Sequence, residues 1–357
     1  IVSDMERIII HTNFTNMVKQ VVTLSLQDLL DASKLDLLRA AFTEPDRFRT
    51  PQTPEAVTQA AARHFAELAR ILRGAGHDPQ TVAHFLIRLL FCLFAEDVGL
   101  LPEEVFTQLV TRTRVRPVLF NRQLAQLFEC MSSGGMFGFS EIPHFDGGLF
   151  DTAEVLPLDI RALQVLAEVS RLDWANIEPS ILGTLFERGL DPSKRSQLGA
   201  HYTSRQDILL IVEPVLMAPL RRRWRGVREQ ALALAEKRDK AKAGPRARRE
   251  SALRQLLQGF AQELAKVRVL DPACGSGNFL YVALRQLLDL WKEVSVLGSQ
   301  LGLPFMQPLE GAAPSPTQLH GIEIDPYAHE LAQATIWIGY IQWLRENGFG
   351  TPTEPIL

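Results

Sequence analysis

Residues 267–280 read Val-Arg-Val-Leu-Asp-Pro-Ala-Cys-Gly-Ser-Gly-Asn-Phe-Leu. Val267 to Leu270 have the apolar, β-branched character of a buried strand, the glycines mark a tight turn, and a helix begins near Asn278. An α/β fold places a nucleotide-like ligand at such a point, beyond the carboxyl end of a strand. The details narrow the ligand. Gly275 and Gly277 give Gly-x-Gly, but Leu280 stands where a dinucleotide fingerprint has its third glycine, and no Gly-Lys-Ser/Thr follows. Asp271 at the strand end would repel a pyrophosphate and attract a ligand carrying a cation or an amino group. S-adenosylmethionine has a sulfonium, an α-amino group and no phosphate.

About fifty residues later, Gln-Leu-His-Gly-Ile-Glu-Ile-Asp-Pro, residues 318–326, reads as the next strand ending in acid. Glu323 is placed to accept both ribose hydroxyls, as an acid does in dinucleotide folds, with Ile324 as the apolar plate against the adenine. The following helix has apolar positions Leu331, Ala334, Trp337, Ile338 and Ile341, read as packing on the sheet. Upstream, Leu-Gly-Ala-His-Tyr-Thr-Ser-Arg-Gln-Asp-Ile, residues 198–208, precedes an apolar helix from Ile208 to Met217. Thr203 or Ser204 serves as its N-cap, with Asp207 near N3 or N4. N–H groups at such a helix start bind a carboxylate, and the ligand's methionine end carries one.

Gly-Ala-His-Tyr-Thr-Ser, Asp-Pro-Ala-Cys-Gly-Ser-Gly-Asn-Phe-Leu and Gly-Ile-Glu-Ile-Asp-Pro resemble, in this order, motifs X, I and II of gamma-class amino-group DNA methyltransferases. The resemblance extends over nearly the whole chain. Residues 85–102, 144–150 and 181–188 are similar to the helical connector of single-chain Type IIG/IIL (MmeI-like) restriction–modification enzymes. It implies a helical connector followed by a partial class I S-adenosylmethionine-dependent, Rossmann-like methyltransferase domain, adenine-N6 as the target, and double-stranded DNA as partner. Tyr202 and Thr203 would lie beside the methionine end of the cofactor. Asp271, Pro272, Ala273, Gly275, Ser276, Gly277 and Asn278 would wrap that end and the ribose edge, with Glu323 and Ile324 on the nucleoside. Ser204 departs from the proline usual after Tyr-Thr, and serine can cap the helix instead.

The family's catalytic loop, Asn-Pro-Pro followed by an aromatic residue, stacks on a flipped base. The sequence has no Asn/Asp/Ser-Pro-Pro; Glu178-Pro179, Asp191-Pro192 and Glu354-Pro355 lack the second proline. By the resemblance that loop and a specificity domain would follow Leu357, and a metal-dependent nuclease domain would precede Ile1. The chain is therefore expected to hold the cofactor without a catalytic residue or a metal of its own, and to be inactive alone. The first strand, Val267 to Leu270, is expected to pair with residues 318–324 on one side and to show an open edge on the other.

Composition sets the outer bounds. The 357 residues suffice for two or three domains, and a net charge of −3 is not that of a wholly basic nucleic-acid binder. Cys92, Cys130 and Cys274 have neither metal nor disulfide spacing and fit a reducing cytoplasm. The longest apolar run, Phe85 to Leu101, is broken by Arg88 and Glu96-Asp97, short of a membrane span. Residues 1–25 read as strands, 26–190 as a helical connector, and 191–357 as the methyltransferase-like part, with a charged helical hairpin at about 221–266 broken at Gly244-Pro245. Helices are predicted over 54–75, 79–97 and 161–171, and loops at 131–135 and 145–148. Arg-Arg-Arg-Trp-Arg, 221–225, admits two readings: a DNA contact in which tryptophan stacks, or a solvated helix end anchored by tryptophan. Two rival functions remain open: a binding or scaffold protein that kept the pocket without the chemistry, and a Rossmann-type oxidoreductase, against which the missing glycine and Asp271 speak.

Overall fold

The computed structural model describes residues 1–4, 6–12, 21–48, 53–102, 104–145, 148–179, 205–304 and 313–349. Three short antiparallel strands open the chain: β1 (Val2–Ser3), β2 (Arg7–His11) and β3 (Val21–Ser25), in the order β1-β2-β3. Helix α1 (Ala32–Thr43), capped by the Asp31 carboxylate on the Ser33 N–H, closes a small core of Ile10, Leu24, Ala40 and Phe48.

A helical layer follows: α2 (Pro54–Gly74), α3 (Pro79–Asp97), α4 (Val105–Thr113), α5 (Pro117–Ser133) and α6 (Ile160–Val169). Helix α3 is its centre. Asp78 caps it through the N–H groups of Gln80 and Thr81, and most of its length is apolar all round and buried. Arg88 is the exception in chemistry, not in burial, at 1% exposure. Its guanidinium lies 3.8 Å from the Phe128 ring centroid and donates to the carbonyls of Glu154 (2.9 Å) and Thr152. Burial lowers its pKa to about 10, so it stays charged at neutral pH. The charge that breaks the apolar run in the sequence thus ties the 152–154 segment to the core.

Glycine and proline placed two boundaries wrongly. Residues 131–133 are helical, because Met131 is buried on the inner face of α5; Gly134, at φ 74°, ends the helix, and Gly135 opens a hairpin of β4 (Gly135–Phe137) and β5 (Ser140–Ile142). The charged hairpin consists of α8 (Ala218–Asp239) and α9 (Ala243–Lys266), preceded by α7 (Arg205–Val212) and a π-helical turn at Glu213–Met217. Its break lies at 240–242, before Gly244-Pro245. Pro245 sits in the first turn of α9, where its missing N–H has no acceptor to lose. Trp224 is buried and stacks on Phe260 at 5.4 Å, so it anchors the hairpin and offers no face to a base.

The last layer holds β6 (Val269–Asp271) and β7 (Leu319–Gly321), paired in parallel, with α10 (Asn278–Gln300) between them in sequence and α11 (Pro326–Glu346) after them. The strand β6 is less buried than its composition predicts. Leu270 is 61% exposed, because among the described residues β6 has β7 as its one neighbour. Helix α11 also departs from the sequence reading. Leu331, Ala334, Ile338 and Ile341 do not pack on the sheet; they complete the core built on α3. The opposite face, Ala332, Ile336, Tyr340, Trp343 and Leu344, packs with α10 in the methyltransferase-like core. Polar bonds fix the same junction: Gln342 donates to the carbonyls of Ala175 and Ile177, Arg345 to that of Asp97, and His84 Nδ1 lies 2.7 Å from Glu330 Oε2.

Glu96 and Asp97, at the end of α3, hold neighbouring backbone: Glu96 accepts from the N–H groups of Phe106 and Thr107, Asp97 from that of Trp174. Desolvation nevertheless pushes both carboxyls above their ordinary range. A raised folded-state pKa means that the folded protein binds protons more readily than the unfolded chain. These two groups therefore add stability as pH falls through their raised values, in full below the ordinary carboxylate range, and nothing extra at neutrality. In thermal melts against pH, the double variant Glu96→Gln/Asp97→Asn should lack that gain, so that its deficit from wild type widens on acidification. A constant deficit from pH 7 to pH 4 would contradict the assignment.

Candidate cofactor site

The site is built where β6 and β7 end side by side. Asp271 pairs with Gly321 in the parallel register, and the ladder runs on into the loops: Ile322 N–H donates to Asp271 O (2.9 Å) and Cys274 N–H to Ile322 O (3.0 Å). This brings the two acidic strand ends together. Glu323 Oε2 accepts from Gly275 N–H at 2.9 Å, and Oε1 from the N–H groups of Ile324 (2.8 Å) and Asp325 (2.9 Å). Asp271 Oδ1 accepts from Ala273 N–H at 3.1 Å and orders the start of the turn.

Three glycines are required here for different reasons. Gly277, at φ 80°, is the N-cap of α10, and a Cβ on it would lie 3.0 Å from the Ala332 backbone of α11. Gly321 faces Cys274, whose Sγ would be 2.6 Å from an added Cβ. Gly275, at φ 52°, has open space where its side chain would be, as a cradle for a ligand requires. Cys274 is buried, and burial together with the Asp271 and Glu323 charges raises its thiol pKa. It is a packing residue and not a nucleophile.

The remaining candidates divide by exposure. Pro272 and Ala273 are exposed on the turn, while Ser276 and Asn278 are buried. The Asn278 side-chain oxygen is buried without a hydrogen-bond partner at the first residue of α10. Ile324 is 90% exposed beside Glu323. Tyr202 and Thr203, with the Ser204 cap, lie outside the described residues. Ala332 escaped the sequence reading: its backbone closes the turn behind Gly277, and only a map of which helix crosses the loop could have found it. Among the described residues no three His, Cys, Asp or Glu side chains gather to hold a metal ion, and no helix is long and apolar enough to cross a membrane.

Comparison with known proteins defines the class first. Residues 241–348 match the DNA-methyltransferase domain of MmeI, so the site lies in a DNA-methyltransferase domain. Residues 80–150 match the MmeI helicase spacer domain, so two separate segments of the chain are similar to two domains of MmeI. The solved Type IIL restriction-modification enzyme MmeI in complex with DNA has a similar fold, with a TM-score of 0.65 and 26% identity, over 83% of this chain and 39% of that one. DNA methyltransferase A of Bacillus subtilis (strain 168) is 28% identical over 301 residues, 80% of this chain and 31% of that protein. The putative type II restriction enzyme and methyltransferase RM.MjaORFECS2P of Methanocaldococcus jannaschii is 24% identical over 305 residues, 71% of this chain and 24% of that protein. The chain thus spans a third or less of the length of these curated relatives.

Proposed function

We propose that this chain is the S-adenosylmethionine-binding part of a site-specific adenine-N6 DNA methyltransferase of a restriction–modification or phage-defence system, with a Rossmann-like methyltransferase domain. The observation that carries the reading is the Gly275 N–H bond to Glu323, which joins two acidic strand ends across an open glycine turn. Asp271 offers a carboxylate to an ammonium. The start of α10, with no acid in its first turn, offers positive potential to a carboxylate. A zwitterionic methionine end fits that pair of opposite potentials, and a pyrophosphate does not. The unpartnered Asn278 oxygen is a buried acceptor available to an amino donor. The exposed Ile324 gains burial when a flat apolar base covers it.

Glu323 has less to give than its sequence position suggests. A carboxylate accepts about four hydrogen bonds, and three are made to the loop's own N–H groups. One acceptor position on Oε2 remains for a ribose hydroxyl; a second hydroxyl must displace a loop bond or find another partner. When bound, the cofactor supplies an electrophilic methyl on its sulfonium. The residues described here bind and orient it, and the base-accepting step belongs to an Asn-Pro-Pro-aromatic loop that this sequence does not contain. Tyr202 and Thr203 are assigned to the methionine end by their place in the motif order. In the whole protein the partner is double-stranded DNA, read by a separate specificity domain.

Calorimetric titration of the chain with S-adenosylmethionine, with NAD as control, tests the reading. Saturable binding of S-adenosylmethionine alone is expected, weakened about tenfold by Asp271→Ala through loss of one charge-assisted contact. Binding of NAD instead would sink it in favour of an oxidoreductase.

A further inference from the structure

From Val105 to Phe128 the sequence holds four arginines, Arg112, Arg114, Arg116 and Arg122, and no acidic residue, in a chain whose net charge is −3. The fold gathers them at the corner between α4 and α5. All four side chains are exposed, and none is bonded to an acidic group among the described residues. Elsewhere some exposed arginines are paired, Arg161 with Glu67 and Arg223 with Glu263, while Arg222, Arg225 and Arg228 on α8 have no acidic partner among the described residues. The corner therefore concentrates positive charge that the protein does not neutralise itself.

The corner is also rigid. Arg116 N–H donates to Thr113 O at 2.7 Å, Pro117 sets the first turn of α5, and Phe120 is fully buried. Asn121 bonds both backbone groups of Leu158, its Oδ1 accepting from the N–H at 3.1 Å. Arg116 and Arg122 flank a shallow pocket of about 320 Å³, also lined by Pro117, Val118 and Leu119. Val118 is 85% exposed, a small apolar surface beside the charges. Val118 and the neighbouring Val115, 65% exposed, do not make the bulky apolar wedge that insertion into lipid needs. Arginine forks on a fixed frame beside a small apolar surface suit phosphates and the sugars between them.

We infer that the α4–α5 corner is a backbone-contact site for duplex DNA, separate from the cofactor loop. Arg114, Arg116 and Arg122 contact phosphates and hold the duplex without reading its sequence. The inference rests on the methyltransferase reading only for the choice of DNA as the polyanion.

The test is binding of a fluorescent 30-base-pair duplex at several salt concentrations, with wild type and the triple variant Arg114→Ala/Arg116→Ala/Arg122→Ala. Each lost phosphate contact lowers the slope of log affinity against log salt by about 0.9. The triple variant should lose about 2 to 3 from the slope, equally for unrelated sequences, and bind roughly 10- to 100-fold more weakly near 0.1 M salt. The matching lysine triple should keep the slope, since a point charge suffices for a phosphate. An equal-charge control, Arg222→Ala/Arg225→Ala/Arg228→Ala on α8, should change it by less than about 1. Equal loss in both alanine triples, an unchanged slope in the corner variant, or loss of binding to anionic phosphatidylserine vesicles without loss on DNA overturns the site. Titration of the corner variant with S-adenosylmethionine should match wild type. Failure of cofactor binding with a corner-dependent salt slope would remove the proposed cofactor function and leave this site standing.

Discussion

Glu323→Gln should lower the affinity for S-adenosylmethionine by about 100-fold or more while leaving the chain folded. The amide keeps the volume of the carboxylate but replaces one acceptor oxygen with a donor. Whichever way it turns, an NH2 group meets either the Gly275 N–H or the Ile324 and Asp325 N–H groups. Once a ligand covers the turn, each of these donors left without an acceptor costs about 1–3 kcal/mol, and a hundredfold change in affinity needs about 2.7 kcal/mol. One conflict thus suffices to distort the turn, and with the amide nitrogen at the Oε2 position the ribose loses its acceptor as well. The global cost is small because Glu323 is only half-buried and lies outside the cores. Calorimetry of the variant against wild type decides the matter: an affinity within threefold would mean that Glu323 is a loop brace with no part in the ligand.

The largest effect on stability is expected at Gly339. Alanine in place of glycine within a helix ordinarily gains about 1 kcal/mol. Here the added Cβ would stand 2.1 and 2.3 Å from two ring carbons of Tyr281. The ring is buried between α10 and α11 and cannot swing into solvent. Overpacking of this kind costs about 1–3 kcal/mol, sometimes more, so the steric term outweighs the propensity gain. Gly339→Ala should lower the melting temperature by roughly 2–4 °C. Tyr281→Leu in the same chain should recover much of that loss, a favourable coupling of about 1 kcal/mol or more. A single alanine variant that melts within a degree of wild type would show that the helices separate easily at this point.

The sequence made some features legible and concealed others for physical reasons. The turn at 272–277 was readable because glycines at positive φ and acids at strand ends leave an imprint on the residues themselves. Helix α3 was readable because Pro79 and Asp97 bracket a long apolar run. The role of α11 was hidden. Apolar residues on both faces give several overlapping stripes, and the one chosen, Leu331-Ala334-Ile338-Ile341, belongs to the other core. The hairpin of β4 and β5 was missed because strands of three residues are too short to show a period. Gly244-Pro245 has the composition of a helix break, yet in the first turn of α9 neither residue costs the helix a hydrogen bond. Close approaches such as Gly339 to Tyr281 are properties of tertiary packing and leave no mark but the glycine.

Helix α11 lends one face to the connector and the other to the methyltransferase-like layer. A chain built this way has no seam between its parts: cut anywhere along α11, each piece is left with a torn core. Exchange of modules between related genes can therefore succeed only when the donor brings α3 and α11 as a matched pair. The unit of inheritance at this junction is the pair of surfaces and not either domain.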